Sequence, residues 1–117
     1  MRSIPLNVVE MTLPGPGGQA RVAHLDYADT IREVLLSAPQ GRGISTAEAM
    51  KGFEVWMRIA EQRAKPAVLI EEADFAILKS RLDAFVWAFF NENCAAFVRA
   101  IRDAPSISLA DAANPTT

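Results

Sequence analysis

The chain has one cysteine and one histidine among its 117 residues. A single thiol cannot close a disulfide within the chain or build a thiolate metal cluster, so the sequence points to a reducing, cytoplasmic setting. A single imidazole excludes a multi-histidine metal site and leaves at most one histidine base. Blocks of one charge are missing too. The 12 basic and 14 acidic residues give a net charge of −2, and the basic ones are scattered, without the electrostatic footprint of a DNA or RNA binder. The nearest approach to a basic patch is Arg58, Arg63 and Lys65, which reads as a solvated helix end whose cations suit the negative end of the dipole. The most apolar stretch, Leu82 to Phe90, is interrupted by Asp83 and falls far short of the roughly 20 residues that a membrane span needs. Met1 to Pro5 has Arg2 but no apolar run behind it, so it lacks the layout of a secretory signal.

The composition, 50% apolar and 22% charged, predicts a packed core rather than wholesale disorder. The length suits one small domain over residues 1–105, of class α+β and mainly α. Ile4, Leu6, Val8 and Val9 precede Pro14-Gly15-Pro16-Gly17-Gly18, and Ala23, Leu25 and Tyr27 follow at alternate positions. Two strands about a turn, an N-terminal β-hairpin over residues 3–27, is the expectation. A lone hairpin is marginal in water, so it must lie on helices or pair with another chain.

About four helices are expected within residues 28–103. Asp26 or Asp29 can cap the first, whose Ile31, Val34 and Leu35 share a face, and Pro39 with Gln40-Gly41-Arg42-Gly43 ends it near Ala38. Ser45-Thr46-Ala47-Glu48 has the pattern of a capping box. Beyond it Ala49, Met50, Phe53, Trp56, Met57, Ala60 and Ala64 form the expected buried face of the second helix, which Pro66 stops. Gly52 within it costs up to about 1 kcal/mol relative to alanine and marks the close approach of another element. Ala67 to Ile70 is an extended connection or feeds straight into the third helix, where Phe75, Leu78, Leu82, Phe85, Val86 and Phe89 form the apolar stripe. Asn91 or Asn93 breaks and caps, Cys94, Phe97, Val98 and Ile101 make a last short helix, and Ala104-Pro105 closes it. Residues 106–117 are small and polar, which predicts a flexible tail.

Reactive constellations are weak. His24 and Asp26 share a strand face, but no nucleophile is marked nearby, so a polar outward face accounts for them. Cys94 lies on an apolar stripe, where a free cysteine behaves as a small hydrophobe rather than as a thiolate paired with His24. Glu71, Glu72 and Asp74 point in different directions on a helix and complement its dipole rather than converge on an ion. Pro14 to Gly18 lacks the Lys-Ser/Thr end of a phosphate loop. The expectation is therefore no catalytic residue, no cofactor, no metal and no small-molecule substrate: not an enzyme. What stands out is apolar surplus. Val55 and Ile59 lie off the expected face of the second helix, and Trp87 and Phe90 off that of the third. These four suggest a second contact surface, to the hairpin or to another chain, unless the fold wraps around the third helix and buries them internally; they are the expected protein interface, Trp being a residue type enriched in binding hot spots.

The apolar N-terminal pair of strands, Thr30-Ile31-Arg32-Glu33-Val34-Leu35-Leu36-Ser37-Ala38-Pro39, the capped helix at Ser45, and Val68-Leu69-Ile70-Glu71-Glu72-Ala73-Asp74 leading into the third helix follow in an order that resembles small accessory proteins of tailed bacteriophages and prophages, whose role is unassigned. The similarity is one of layout and reaches to about Pro105. It implies a phage accessory or assembly protein, in the bacterial host cytoplasm or on the virion, and it transfers no catalytic residue. The function expected is contact with a protein partner or with further copies of the chain, with no nucleic acid and no membrane. The alternative, a small transcriptional regulator or nucleic-acid-associated helical module, needs a clustered basic surface.

Overall fold

The computed structural model describes residues 1–38 and 43–107. Two small antiparallel sheets and four helices follow in the order β1 (Arg2–Pro5), β2 (Val8–Pro14), β3 (Ala20–Asp26), α1 (Tyr27–Leu36), α2 (Thr46–Ala60), β4 (Ala67–Ile70), α3 (Glu72–Ala84) and α4 (Glu92–Arg102). The class is α+β, as expected. The N-terminal strands divide differently. β2 and β3 form the hairpin, in register from Val8 opposite Asp26 to Pro14 opposite Ala20. Gly17 and Gly18 turn the chain at φ of 69° and 78°, a region that costs a side-chain-bearing residue energy and glycine nothing.

β1 is not part of that hairpin. It pairs with β4, Arg2 opposite Ile70 through Pro5 opposite Ala67. Pro5 has no N–H to continue a ladder, and the strand stops there. The chain then crosses between sheets, with the Leu6 N–H donating to the Pro66 carbonyl (2.9 Å) and Asn7 accepting from the Tyr27 N–H (2.9 Å). Ala67–Ile70 is thereby a strand rather than the start of a helix. Ser106 and Ile107, counted with the tail in the sequence, are held against the N-terminus. Ser106 bridges Arg2, and the Ile107 N–H donates to the Met1 carbonyl at 2.6 Å. The rest of the expected tail, 108–117, and the helix-ending Pro39 to Arg42 lie outside the described residues.

Helix starts follow their local chemistry. The Asp26 carboxylate accepts from the Asp29 N–H (3.2 Å), the Ser45 hydroxyl from the Glu48 N–H (3.1 Å), and Asn91 Oδ1 from the N–H groups of Asn93 (2.9 Å) and Cys94 (3.1 Å). Each satisfies a donor that has no partner within its helix, worth about 1 kcal/mol.

The core gathers Ile4, Ile31, Leu35, Val68, Leu78, Phe97 and Ile101, all fully buried, with Val55 and Ile59. α2 is turned relative to the sequence expectation. Gly52, Val55, Trp56 and Ile59 face inward, while Met50, Phe53 and Met57 are exposed. The reason lies at Gly52, where a Cβ would stand 2.2 Å from the Leu35 carbonyl oxygen, so α1 crosses α2 on the glycine side. Arg81 of α3 locks the crossing, donating to the Leu35 carbonyl (3.2 Å) and the Glu48 carbonyl (2.6 Å). Arg58 joins α2 to α3 by two bonds to the buried Asp74 carboxylate, 2.6 and 2.8 Å. That hydrogen bonding raises the Arg58 pKa above its ordinary value, against a smaller opposing effect of desolvation. Arg63 pairs with Asp29 on α1, and the Gln62 amide exchanges bonds of 2.9 and 3.0 Å with the Leu69 backbone. These cross-links fix which side of α2 is covered.

Candidate functional site

α3 ends at Ala84, before the apolar stripe that was expected to continue it. Phe85 is extended (φ −72°, ψ 133°), and residues 85–91 run outside any helix until Asn91 caps α4. This segment holds the densest aromatic grouping in the described structure. The Trp87 ring meets Phe85 at 5.0 Å, Phe90 at 5.4 Å and Phe97 at 6.0 Å between centroids, all close to edge-on. Such edge-to-face pairs contribute about 0.5–1.5 kcal/mol each beyond their buried area. Phe97 is fully buried and makes a further edge-on contact with Tyr27 of α1, at 5.0 Å. The indole is therefore an anchor: half-buried, it ties an irregular segment to the core.

Around that anchor the segment opens outward, with Val86 55%, Phe89 45% and Phe90 58% exposed. Clefts border it on two sides. Toward α1, hollows of about 320 and 290 Å³ share Ser37, Phe85 and Val86 as walls. Toward the hairpin tip, a cleft of about 420 Å³ runs between Leu13, Pro14 and Arg21 on one side and Phe89, Phe90 and Asn91 on the other.

No family model matches the chain, and neither a curated protein nor a solved structure does.

Of the expected interface residues, the structure brings Trp87 and Phe90 together in this segment. Val55 and Ile59 are elsewhere, 0% and 1% exposed in the core, because the covered side of α2 is theirs. Phe89 and Val86, read from the sequence as core stripe, are on the surface instead. So are Met50, Phe53 and Met57, spaced along the outer side of α2.

The reactive residues stay apart. His24 is exposed on the outer face of the hairpin, its Nε2 3.9 Å from Oε2 of its cross-strand neighbour Glu10, while Asp26 is occupied as the α1 cap. Cys94 is sealed in the core with its Sγ 4.0 Å from the Phe89 carbonyl, and no hydrogen bond joins it to His24. The carboxylates near the start of α3 do not converge: Glu72 pairs with Arg2 (3.0 Å) and Asp74 with Arg58. Among the described residues no group of three or more histidine, cysteine and acidic side chains is placed to hold a metal ion, and no helix is long and apolar enough to cross a membrane.

Proposed function

We propose that this chain is a non-enzymatic protein that works by contact, and that its contact surface is the aromatic segment 85–90. The observation that carries this reading is Phe90, held out to solvent on an indole that is itself fixed to the core, beside an exposed Phe89. Exposed aromatic side chains in a fixed frame lose little conformational freedom when a partner covers them, so more of the apolar burial, about 25 cal/mol per Å², remains as affinity. Clustered apolar surface of this kind marks interaction sites, whereas single exposed apolar residues do not. The Met50, Phe53 and Met57 strip on α2 adds a second apolar surface and favours an oligomer or a multi-sided assembly partner. The resemblance in layout to phage and prophage accessory proteins supports an assembly setting, in the host cytoplasm or on the virion. A nucleic-acid role finds less support: Arg58 and Arg63, two of the three cations in the nearest approach to a basic patch, are bound to Asp74 and Asp29.

The test is self-association and partner capture by the Phe89→Ser/Phe90→Ser variant, measured by light scattering and by cross-linking in host lysate. Loss of the complex, with unchanged circular dichroism, supports the reading. A wild-type protein that stays monomeric at high concentration and cross-links to nothing would sink it.

A further inference from the structure

The inner face of the hairpin carries three cross-strand pairs, Val9 with Leu25, Met11 with Ala23 and Leu13 with Arg21. Cover declines toward the tip. Leu25 and Met11 are buried, Ala23 and Leu13 half-buried, and Arg21 exposed. The domain body reaches as far as Asn91, whose amide donates to the Met11 sulfur at 3.6 Å. The Leu13 and Arg21 pair overhangs beyond it, and beneath the overhang lies the cleft of about 420 Å³ closed on the far side by Phe89 and Phe90. That volume is within the range of ligand clefts, about 300–1,000 Å³.

Arg21 gives the cleft its chemistry. Among the described residues no carboxylate pairs with it. Arg81, which lines the hollow toward α1, differs: two backbone carbonyls occupy it. A guanidinium without a counter-charge beside aromatic walls selects a ligand with a carboxylate next to a bulky apolar group, because the arginine fork fits a carboxylate and the rings fit the carbon. The cleft has a strand on one side and a chain segment on the other and is open to solvent, so an extended polypeptide segment can lie in it.

We propose that the cleft under the hairpin tip receives an extended segment of a partner protein in which an acidic residue alternates with bulky apolar ones, the carboxylate turned to Arg21 on the hairpin wall and the apolar side chains, on the opposite face of the segment, turned to Phe89 and Phe90. This rests on the contact function proposed above and specifies the partner's chemistry.

The test uses the full chain and three fluorescein-labelled hexapeptides read by anisotropy. One alternates phenylalanine and leucine with glutamate, one replaces each glutamate by lysine, and one replaces each apolar residue by serine. The glutamate peptide binds wild type at least about tenfold more tightly than either control, a difference of about 1.4 kcal/mol. Arg21→Glu reverses the preference toward the lysine peptide, and Phe90→Ser weakens the apolar peptides alike. Equal binding of the glutamate and lysine peptides, no binding at all, or an Arg21→Glu variant indistinguishable from wild type overturns the proposal. So does a homodimer that Arg21→Glu dissociates and the peptides fail to displace, which assigns the cleft to a second copy. If Arg21→Glu is silent while Phe90→Ser still abolishes the complex, the acidic segment is lost and the contact function stands. If Phe89→Ser/Phe90→Ser leaves self-association and capture intact, the contact function is lost with it. Both positions are exposed, so thermal unfolding close to wild type verifies that each variant is folded.

Discussion

Trp87 has a phenylalanine on each side. On the inner side Phe97 is fully buried, touches Tyr27 and belongs to the hydrophobic core to which both sheets and all four helices contribute; on the outer side Phe90 is 58% exposed. The two rings have the same chemistry and lie within 6.0 and 5.4 Å of one indole. What separates them is cover. Phe97 rides a capped helix that the body packs over, whereas Phe90 rides an irregular segment and borders an open cleft under the hairpin tip. The same apolar side chain is buried stability in one place and solvent-exposed apolar surface in the other.

The largest break in that contrast is expected inside. Phe97→Ala removes a buried ring and leaves a cavity, which costs about 4 kcal/mol, and it also frees Trp87 from its inner contact. Chemical denaturation measures the loss, and Trp emission should shift to the red in the native state. A variant that loses less than about 1 kcal/mol would mean that Phe97 is not the keystone of this grouping.

Gly52→Ala is next, and its sign is the informative part. In an exposed helix interior this change stabilises by about 1 kcal/mol. Here the new methyl would meet the Leu35 carbonyl oxygen, so the expectation is a loss of about 2–3 kcal/mol as α1 and α2 are pushed apart. A gain in stability would show that the crossing is looser than the structure has it.

Trp87→Ala falls between inside and outside. The ring is half-buried, so truncation should cost about 2 kcal/mol, less than a full core cavity. It should also release residues 85–90, which hydrogen exchange at their backbone amides would reveal as faster exchange. Because stability and contact fall together in this variant, it tests the anchor rather than the surface.

Local chemistry was readable from the residues alone. Asp26, Ser45 and Asn91 cap their helices because a short acceptor side chain before an apolar run satisfies backbone donors wherever it occurs. Non-local pairing was not readable. Nothing within residues 1–13 shows that Arg2–Pro5 will pair with Ala67–Ile70, some 65 positions on. The inverted face of α2 has another cause. Its apolar residues span more than half the helix circumference, so a periodicity of 3.6 fits the Met50, Phe53 and Met57 side as well as the Val55 and Ile59 side. Gly52 held the decisive signal: a helix glycine kept for close approach must face the element approaching it, and Val55, Trp56 and Ile59 stand at three, four and seven positions from it. At the aromatic segment no glycine or proline interrupts Phe85 to Phe90, so helical spacing alone extended α3 through it. The chain leaves the helix at Phe85, and from there Trp87 contacts Phe97 across from α4, a tertiary contact that local propensity does not encode.

The smallest expected effect on folding belongs to Phe90→Ser, and for that reason it sharpens the contrast most. Exposed side chains away from core contacts change stability by no more than about 0.5 kcal/mol. Phe90 keeps one edge against Trp87, so a small loss within that bound is expected in denaturant unfolding. Binding should respond on a different scale. If the ring is a hot spot, its removal costs the complex 2 kcal/mol or more, about thirtyfold in affinity, while the monomer unfolds almost unchanged. Equal losses in folding and binding would mean that Phe90 belongs with Phe97 after all, as a part of the core that happens to reach water.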